Sequence, residues 1–379
     1  MYEQEMSQIR RSLHSYPELS FKEFESSKLV TSFLDDLGVS YRRIDTSVIA
    51  VLDTGRPGKH VCFRADMDAL ALQELNKHAY KSQCPGVMHG CGHDAHTTIL
   101  LFTVKSIQKQ LHHYKGKFSF IFQHAEEIPP GGAKTLIEAG VMEGVDYVYG
   151  LHCDPEYEVG QVMCKVGPLM AAVDKFRVKV IGQGGHGAQP HLSIDPIVLS
   201  AQIIVNLQTI ISRSTDPLEA ALITIGMLHG GESFNVIPES VTFEGTVRSL
   251  SKEVRITTEA RIRSILEGVT QAYNATYELE WLKGYPVLNN HVEGVEVVES
   301  VARQVLGEGA YIDRREPRLL GEDFASYLEF APGAFFFLGT KSGDETSYPL
   351  HSPRFDIDEQ ALSKGLAMFV GIADWINGD

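Results

Sequence analysis

Long apolar runs are missing from this chain of 379 residues. No stretch of about eighteen apolar side chains occurs, and the first residues, Met-Tyr-Glu-Gln-Glu-Met-Ser-Gln-Ile-Arg-Arg, lack the apolar centre of a secretion signal. A cytoplasmic protein with no membrane partner is therefore expected. A basic surplus is missing too: 34 Lys and Arg stand against 49 Asp and Glu, a formal charge of −15. That balance argues against nucleic acid as a partner, while a local basic pocket for a small anionic substrate stays possible. Cysteine is scarce and odd in number, five in all (Cys62, Cys84, Cys91, Cys153 and Cys164), so thiols rather than a disulfide framework are expected. No repeat, heptad run or low-complexity tract is evident. What is present, 43% hydrophobic and 22% charged residues, is enough for two domains with cores of their own.

Within this ordinary composition one stretch is dense in chemistry. Met88 to Thr98 reads Met-His-Gly-Cys-Gly-His-Asp-Ala-His-Thr-Thr, a thiol, three imidazoles and a carboxylate with glycines at 90 and 92 to turn the backbone. Cys91 and His93 are two residues apart and can converge on one small volume. A metal site is the sharper reading; a buried thiol beside capping His and Asp residues is the blander one. Ile99, Leu100, Leu101 and Phe102 turn apolar after it, so a helix is expected from Thr97 onward.

The remaining pattern alternates helices and strands. Helical spacing covers 5–15 up to Pro17, and a second helix around Leu29–Leu34 stops at Gly38. Strands are expected at Ser47–Leu52 and His60–Arg64, the second running into Asp66 and Asp68. Lys117–Gln123 reads as a buried strand ending in His124-Ala-Glu126-Glu127, directly before Pro-Pro-Gly-Gly. Val145–Leu151 reads as another, ending in His152. Three strand ends thus deliver ligand-type residues to the side where α/β sheets build their sites.

From about residue 172 the pattern changes to strand 175–181, helix 195–211, strands 218–228 and 241–250, helix 252–273 and strand 276–282. This β-α-β-β-α-β order is that of a ferredoxin-like domain. After Tyr285-Pro286, helices 297–306 and 323–330, strand 334–338 and a last helix near 360–376 return to the first pattern. If 172–286 is an insertion, residues 1–171 and 287–379 form one discontinuous domain, and His351 joins the sheet that carries Glu127 and His152.

Cys91, His93, Glu127, His152 and His351 are five ligand-type residues, too many for one open catalytic zinc with its usual three. Two divalent ions sharing a bridging thiolate is the natural reading, with Glu126 beside ligand Glu127 placed to take a proton from water and hand it to a leaving nitrogen. Mixed S, N and O donors suit zinc, manganese, cobalt or nickel.

These residues resemble a known family, the dinuclear metal amidohydrolases that include hippurate hydrolase, the auxin amino-acid conjugate hydrolases and bacterial N-acetyl-diaminopimelate deacetylase. The likeness runs through Arg10-Arg-Ser-Leu-His14-Ser-Tyr-Pro-Glu-Leu19, Arg64-Ala-Asp-Met-Asp-Ala-Leu70, Met88 to Thr98, Phe122-Gln-His-Ala-Glu-Glu127, Gly184-Gly-His-Gly-Ala-Gln-Pro-His191 and Gly321-Glu-Asp-Phe324. It implies an α/β catalytic domain of phosphorylase/hydrolase-like type, a mixed sheet flanked by helices, and an inserted α+β ferredoxin-like lid through which such chains commonly form homodimers. It also implies the five ligands above, Glu126 as general base, and Asp68 orienting a ligand. His186 takes the oxyanion role, with Asn235 and Arg248 as substrate binders. The substrate class it implies is a small N-acyl amino acid. His89, His96, His124, His191 and His229 are expected to be structural or to support the ligands from behind.

The chain departs from the family pattern at His124, where a proline is usual, and at Gly187, where an alanine follows the histidine. Leu207–Pro217 and Leu320–Phe324 look most like the diaminopimelate deacetylases, which points to N-acetyl-LL-diaminopimelate and lysine biosynthesis; a general N-acyl-amino-acid amidohydrolase, a dipeptidase and an inactive metal-binding scaffold are the alternatives.

Overall fold

The computed structural model describes residues 2–313 and 316–379. They fall into two compact units, one of Met1–Leu169, Leu288–Glu316 and Asp323–Asp379, the other of Met170–Val287 and Pro317–Glu322.

In the first unit, α1 (Glu3–Ser15) turns Met6 and Leu13 inward together with Arg10 and His14, and α2 (Phe24–Asp36) buries Val30 and Leu34. Strands β1 (Tyr41–Ile44), β2 (Ser47–Asp53) and β3 (His60–Asp66) lead to α3 (His93–Lys109), a helix buried on most sides, with His93, Asp94 and His96 polar at its start and Ile99–Phe102 apolar behind them. β4 (Lys117–Gln123), α4 (Gly132–Glu138), β5 (Tyr147–Glu158), β6 (Val162–Cys164) and β7 (Gly167–Met170) follow.

The second unit contains β8 (Ala172–Ile181), β9 (Gly185–His186), α5 (Pro196–Thr209), β10 (Ala221–His229), β11 (Val236–Ile237), β12 (Ser240–Ser249), α6 (Lys252–Ala272) and β13 (Thr276–Lys283). The first unit resumes with β14 (Leu288–Asn290), α7 (Val292–Leu306), β15 (Tyr311–Asp313), β16 (Gly333–Lys341) and α8 (Gln360–Asn377).

The first unit is built on a mixed sheet of order β1-β2-β4-β3-β5-β16-β6-β15. Its centre, β4-β3-β5-β16, is parallel, and the sequence says why: Phe118, Phe120, Phe122, Phe63 and Phe335–Phe337 make nearly continuous apolar strands that must be covered on both faces. Helices α1, α3, α7 and α8 contribute to that core. In a parallel centre the carboxyl ends of β3 and β4 open on the same side, which is where Asp66, Glu126 and Glu127 emerge.

The second unit's sheet has the order β10-β12-β8-β13, antiparallel throughout, which is the ferredoxin-like arrangement. Alternation along β8 decides its faces. Phe176, Val178 and Val180 pack with Leu199, Ile203 and Leu207 of α5 and Ile262 and Leu266 of α6. Lys175, Arg177 and Lys179, on the opposite face, pair with Glu244 and Glu278 of the neighbouring strands. Pro196–Ser214 is the one helix among the described residues long and apolar enough to cross a membrane by length and composition, although Ser200, Gln202, Asn206, Gln208 and Thr209 interrupt its apolar side chains. Its buried side chains Leu199, Ile203, Leu207 and Ile210 belong to this unit's core.

Several boundaries move from their sequence-based positions. α3 begins at His93, not Thr97, because Gly92 with φ +91° turns the chain into the helix and the polar His93 and Asp94 form its first turn. β5 runs to Glu158, so His152 lies inside a strand rather than after one, paired with Phe337 of β16. The helix expected at 323–330 is a 3₁₀ segment, Asp323–Glu329. Pro317–Glu322 clusters with the second unit although it follows residue 287. Edge strand β1 escaped notice because Tyr-Arg-Arg-Ile carries no apolar alternation.

Candidate metal centre

Five ligand-type side chains meet in the first unit, each delivered by a different local device. Gly92 separates Cys91 from His93, and its positive φ swings both side chains to one side; a Cβ here would stand 3.0 Å from the Cβ of Cys153. His93 opens α3. His152 projects from β5, where its Nδ1 lies 2.7 Å from the Cys153 carbonyl and its Nε2 3.3 Å from Cys91 Sγ. Glu127 follows β4, its backbone N–H held by Asp68 Oδ2 at 3.0 Å. His351 sits in a left-handed conformation (φ +64°) with its N–H on the Gly90 carbonyl at 2.8 Å, which sets Nε2 3.4 Å from Glu127 Oε1.

Two ligand groups result, Cys91–His93–His152 and Cys91–Glu127–His351, with the donor atoms of each within 4.8 Å of one another. They share the thiol. A third group, His93–Glu126–Glu127, adds the second glutamate to the same volume.

The electrostatics of this cluster call for a cation. Burial pushes the Cys91 thiol well above its ordinary range, and Glu127, Glu126 and Asp66 push it further. A thiol so placed ionises only when a positive charge stands beside it. Burial opposes a charge on His93, but Asp66, Asp68 and Glu127 outweigh it and raise its pKa to about 10. Burial, assisted by His96, holds His152 well below the usual imidazole range, as a neutral ligand requires. His93 Nε2 and Glu127 Oε1 are buried without a hydrogen-bond partner, so the donor set fits divalent metal.

Around the ligands stands a layer of fixed partners. Asp68 offers its carbonyl at 2.8 Å and Oδ1 at 3.3 Å to His93 Nδ1, while Ser20 donates to Oδ2 at 2.7 Å. Asp66 and His96 also lie within ligand range of His93, but His96 is already spent: Nδ1 donates to Asp66 Oδ1 at 2.6 Å and Nε2 accepts the Cys153 N–H at 2.8 Å.

Sequence reasoning passed over two carboxylates that hold the loop. Glu23 accepts the Ala125 N–H at 2.9 Å, directly before Glu126. Asp323 accepts from Arg64, Gln123 and the Ala133 N–H, and Gly131 (φ +79°) packs so closely on it that a Cβ would fall 2.3 Å from Oδ2. Burial raises Asp323 to about 6 against the pull of Arg64. The Gly321-Glu-Asp-Phe324 motif was the available signal for Asp323; Glu23 had none. His124 faces away from chemistry, bonded to Ser47 and edge-on to Phe21.

The second unit holds His186, Asn235 and Arg248. β9 and β11 pair Val236 with His186, and the Gly187 N–H bonds the Asn235 carbonyl at 2.8 Å, so His186 and Asn235 are neighbours on an exposed ribbon. His186 Nδ1 accepts the Ala188 N–H at 3.0 Å, which leaves the proton of the neutral ring on Nε2. Arg248 is half-buried on β12, and among the described residues no carboxylate forms a salt bridge with it. Burial lowers its pKa.

Known proteins place this arrangement. An N-acetyl-L-cysteine deacetylase of Bacillus subtilis is 41% identical over 364 residues, spanning 96% of this chain and 86% of that protein. Thermostable carboxypeptidase 1 of Saccharolobus solfataricus is 41% identical over 364 residues, 94% of this chain and 92% of its own. A crystal structure of a dinuclear metal binding peptidase of Bacillus subtilis superposes with a TM-score of 0.84 at 34% identity, covering 98% of this chain and 97% of that one. Residues 62–374 match the pattern of the peptidases designated M20/M25/M40, and with relatives this similar over nearly its whole length, the chain belongs to Peptidase family M20/M25/M40.

Proposed function

We propose that the chain hydrolyses the amide bond of N-acyl amino acids at a centre of two divalent ions held by Cys91, His93, Glu127, His152 and His351. The observation that carries this reading is the pair of ligand groups sharing Cys91, with Glu126 beside them. Bound divalent metal supplies Lewis acidity and lowers the pKa of water from about 15.7 toward about 7. Glu126 takes the proton of the attacking water and returns it to the departing nitrogen, so no side chain is acylated. Asp68 fixes the ring of His93 through Nδ1, and Glu23 fixes the backbone that presents Glu126.

His186 supplies the Nε2–H for the carbonyl oxygen as it gains charge. Asn235 and Arg248 bind the amino-acid portion, Arg248 meeting its carboxylate with two parallel hydrogen bonds. The preferred substrate is N-acetyl-LL-diaminopimelate, giving LL-diaminopimelate and acetate, with the chain acting as a homodimer through its ferredoxin-like unit. The deacetylase relative supports an acetyl group on an amino acid.

Acetate release from N-acetyl-LL-diaminopimelate, measured with metal content in one preparation, tests this. Fast turnover is expected, with two ions per chain that depend on Cys91. Two ions with turnover only of other N-acyl amino acids would move the substrate. Turnover only of dipeptides would make the chain a peptidase like its carboxypeptidase relative. No metal after reconstitution would overturn the centre itself.

A further inference from the structure

A second constellation of ligand-type residues lies in the same unit, outside the centre just described. His14 Nε2 stands 3.4 Å from Glu74 Oε1, and His78 Nε2 stands 3.2 Å from that same oxygen. Asp356 Oδ2 lies 3.6 Å from His78 Nε2. The donor atoms of His14, Glu74 and His78 all fall within 4.8 Å of one another. The edges of a tetrahedron with metal–ligand bonds of about 2.0–2.1 Å measure roughly 3.3–3.4 Å, close to the 3.4 and 3.2 Å of the two edges that meet at Glu74 Oε1.

We propose that His14, Glu74 and His78, with Asp356 as fourth donor, form a third divalent-cation site of the zinc type, structural rather than catalytic.

The surroundings are built as metal sites are built. His14 Nδ1 meets Asp94 Oδ2 at 2.9 Å, the carboxylate behind a ligating imidazole. Glu74 Oε2 accepts the Ser82 N–H at 2.7 Å, and Tyr80 donates to Asp356 Oδ2 at 2.7 Å. The Tyr80 ring stacks on His78 at 3.8 Å, fixing an imidazole neither of whose nitrogens makes a hydrogen bond. Four carboxylates, Asp94, Glu74, Asp356 and Glu359, face only two guanidiniums, those of Arg10 and Arg11, which leaves two negative charges when the imidazoles are neutral. A divalent ion cancels that remainder.

The site would tie α1, the loop carrying Glu74 and His78, and the segment before α8 to the first turn of α3. Its ligands share nothing with the catalytic set; Asp94, which backs His14, merely follows His93 in the chain.

The test is zinc titration of the chelator-stripped full-length chain, with bound ions counted by native mass spectrometry in wild type, His78→Gln, Asp356→Asn and Cys91→Ala. One ion fewer in His78→Gln than in wild type is expected, with amide hydrolysis unchanged. The same one-ion difference should appear when His78→Gln is added to Cys91→Ala. With cobalt, the His78-dependent ion should show no thiolate charge-transfer band, whereas the Cys91-dependent ions should. Equal ion counts with and without His78 in both backgrounds would overturn the proposal, as would a thiolate band that disappears with His78. A His78-dependent ion with no Cys91-dependent ones would instead leave this site standing and remove the catalytic centre. Zinc should also raise the melting temperature of Cys91→Ala, and that rise should vanish when His78→Gln is added.

Discussion

His93 and His186 are both flanked by glycine-rich turns, and their surroundings are opposite. His93 is buried, its Nδ1 on Asp68 and its Nε2 among carboxylates. His186 is exposed on a two-residue strand, its ring bonded to the Ala188 N–H two positions on. The contrast extends to their units. Around His93 the supporting groups are held by residues distant in sequence: Ser20 bonds Asp68, Glu23 the Ala125 N–H, Asp66 the His96 ring and Asp323 the Ala133 N–H. Around His186, Asn235 is bonded by Ser233 and His186 itself by its own turn. On the proposed function the difference has a reason: metal ligands need placement within fractions of an ångström before substrate arrives, and fixed partners provide it, whereas groups that meet the substrate can complete their contacts on binding.

Four experiments break or sharpen this comparison. Cys91→Ala removes the donor common to both ligand groups, so the ions those groups hold should be lost and turnover should fall to background; unchanged metal stoichiometry would show the thiol is no ligand. Glu126→Gln should keep metal and fold while turnover falls by roughly 10²–10⁴-fold, and near-normal kcat would remove Glu126 from the base role.

In the second unit the expected effect is smaller and of another kind. Arg248→Lys should raise KM about tenfold for substrates with a free carboxylate and leave kcat nearly intact, because one point charge replaces a planar fork. An equal loss on carboxyl-amidated substrates would show that Arg248 does not read the carboxylate.

The smallest effect lies on stability. In metal-free protein, burial lowers the pKa of His14 but its bonds to Asp94 and Glu74 prevail, raising it from about 6.5 to about 9. A raised folded pKa means the stabilisation is fully present below about 6.5 and disappears as pH rises through about 9. Melting temperatures of wild type and His14→Asn should therefore converge on the alkaline side; a constant gap across that window would show that His14 is not charged when folded.

Much of this was legible beforehand for identifiable reasons. Lys117–Gln123 declared itself as a buried strand by its phenylalanines, and the two-residue alternation of 175–181 named both faces of β8 before any partner was known. Cys91, His93 and Glu127 were legible because ligand-type residues crowded into loops that also carried glycine. His152 was found although its strand was drawn too short, since the register of β5 with β16 is set by pairing and not by local composition. Glu23 was invisible: an acid near the start of α2 looks solvent-bound until the fold brings Ala125 onto it from about a hundred positions away. Arg10 and Arg64, which local sequence says nothing about beyond their charge, are fully buried against carboxylates from distant segments.

By itself the sequence determined the order of elements, the two kinds of sheet and the inventory of donors, because periodicity, turn chemistry and residue type act over a few neighbouring positions. Only the tertiary structure decided which donors share a volume, that Cys91 belongs to two groups at once, that His96 is consumed by Asp66 and the Cys153 N–H, and that His14, Glu74 and His78 meet. The physical reason is range: a hydrogen bond or a ligand contact spans about 3 Å of space but dozens to hundreds of residues of chain, and only the packed core brings those ends together.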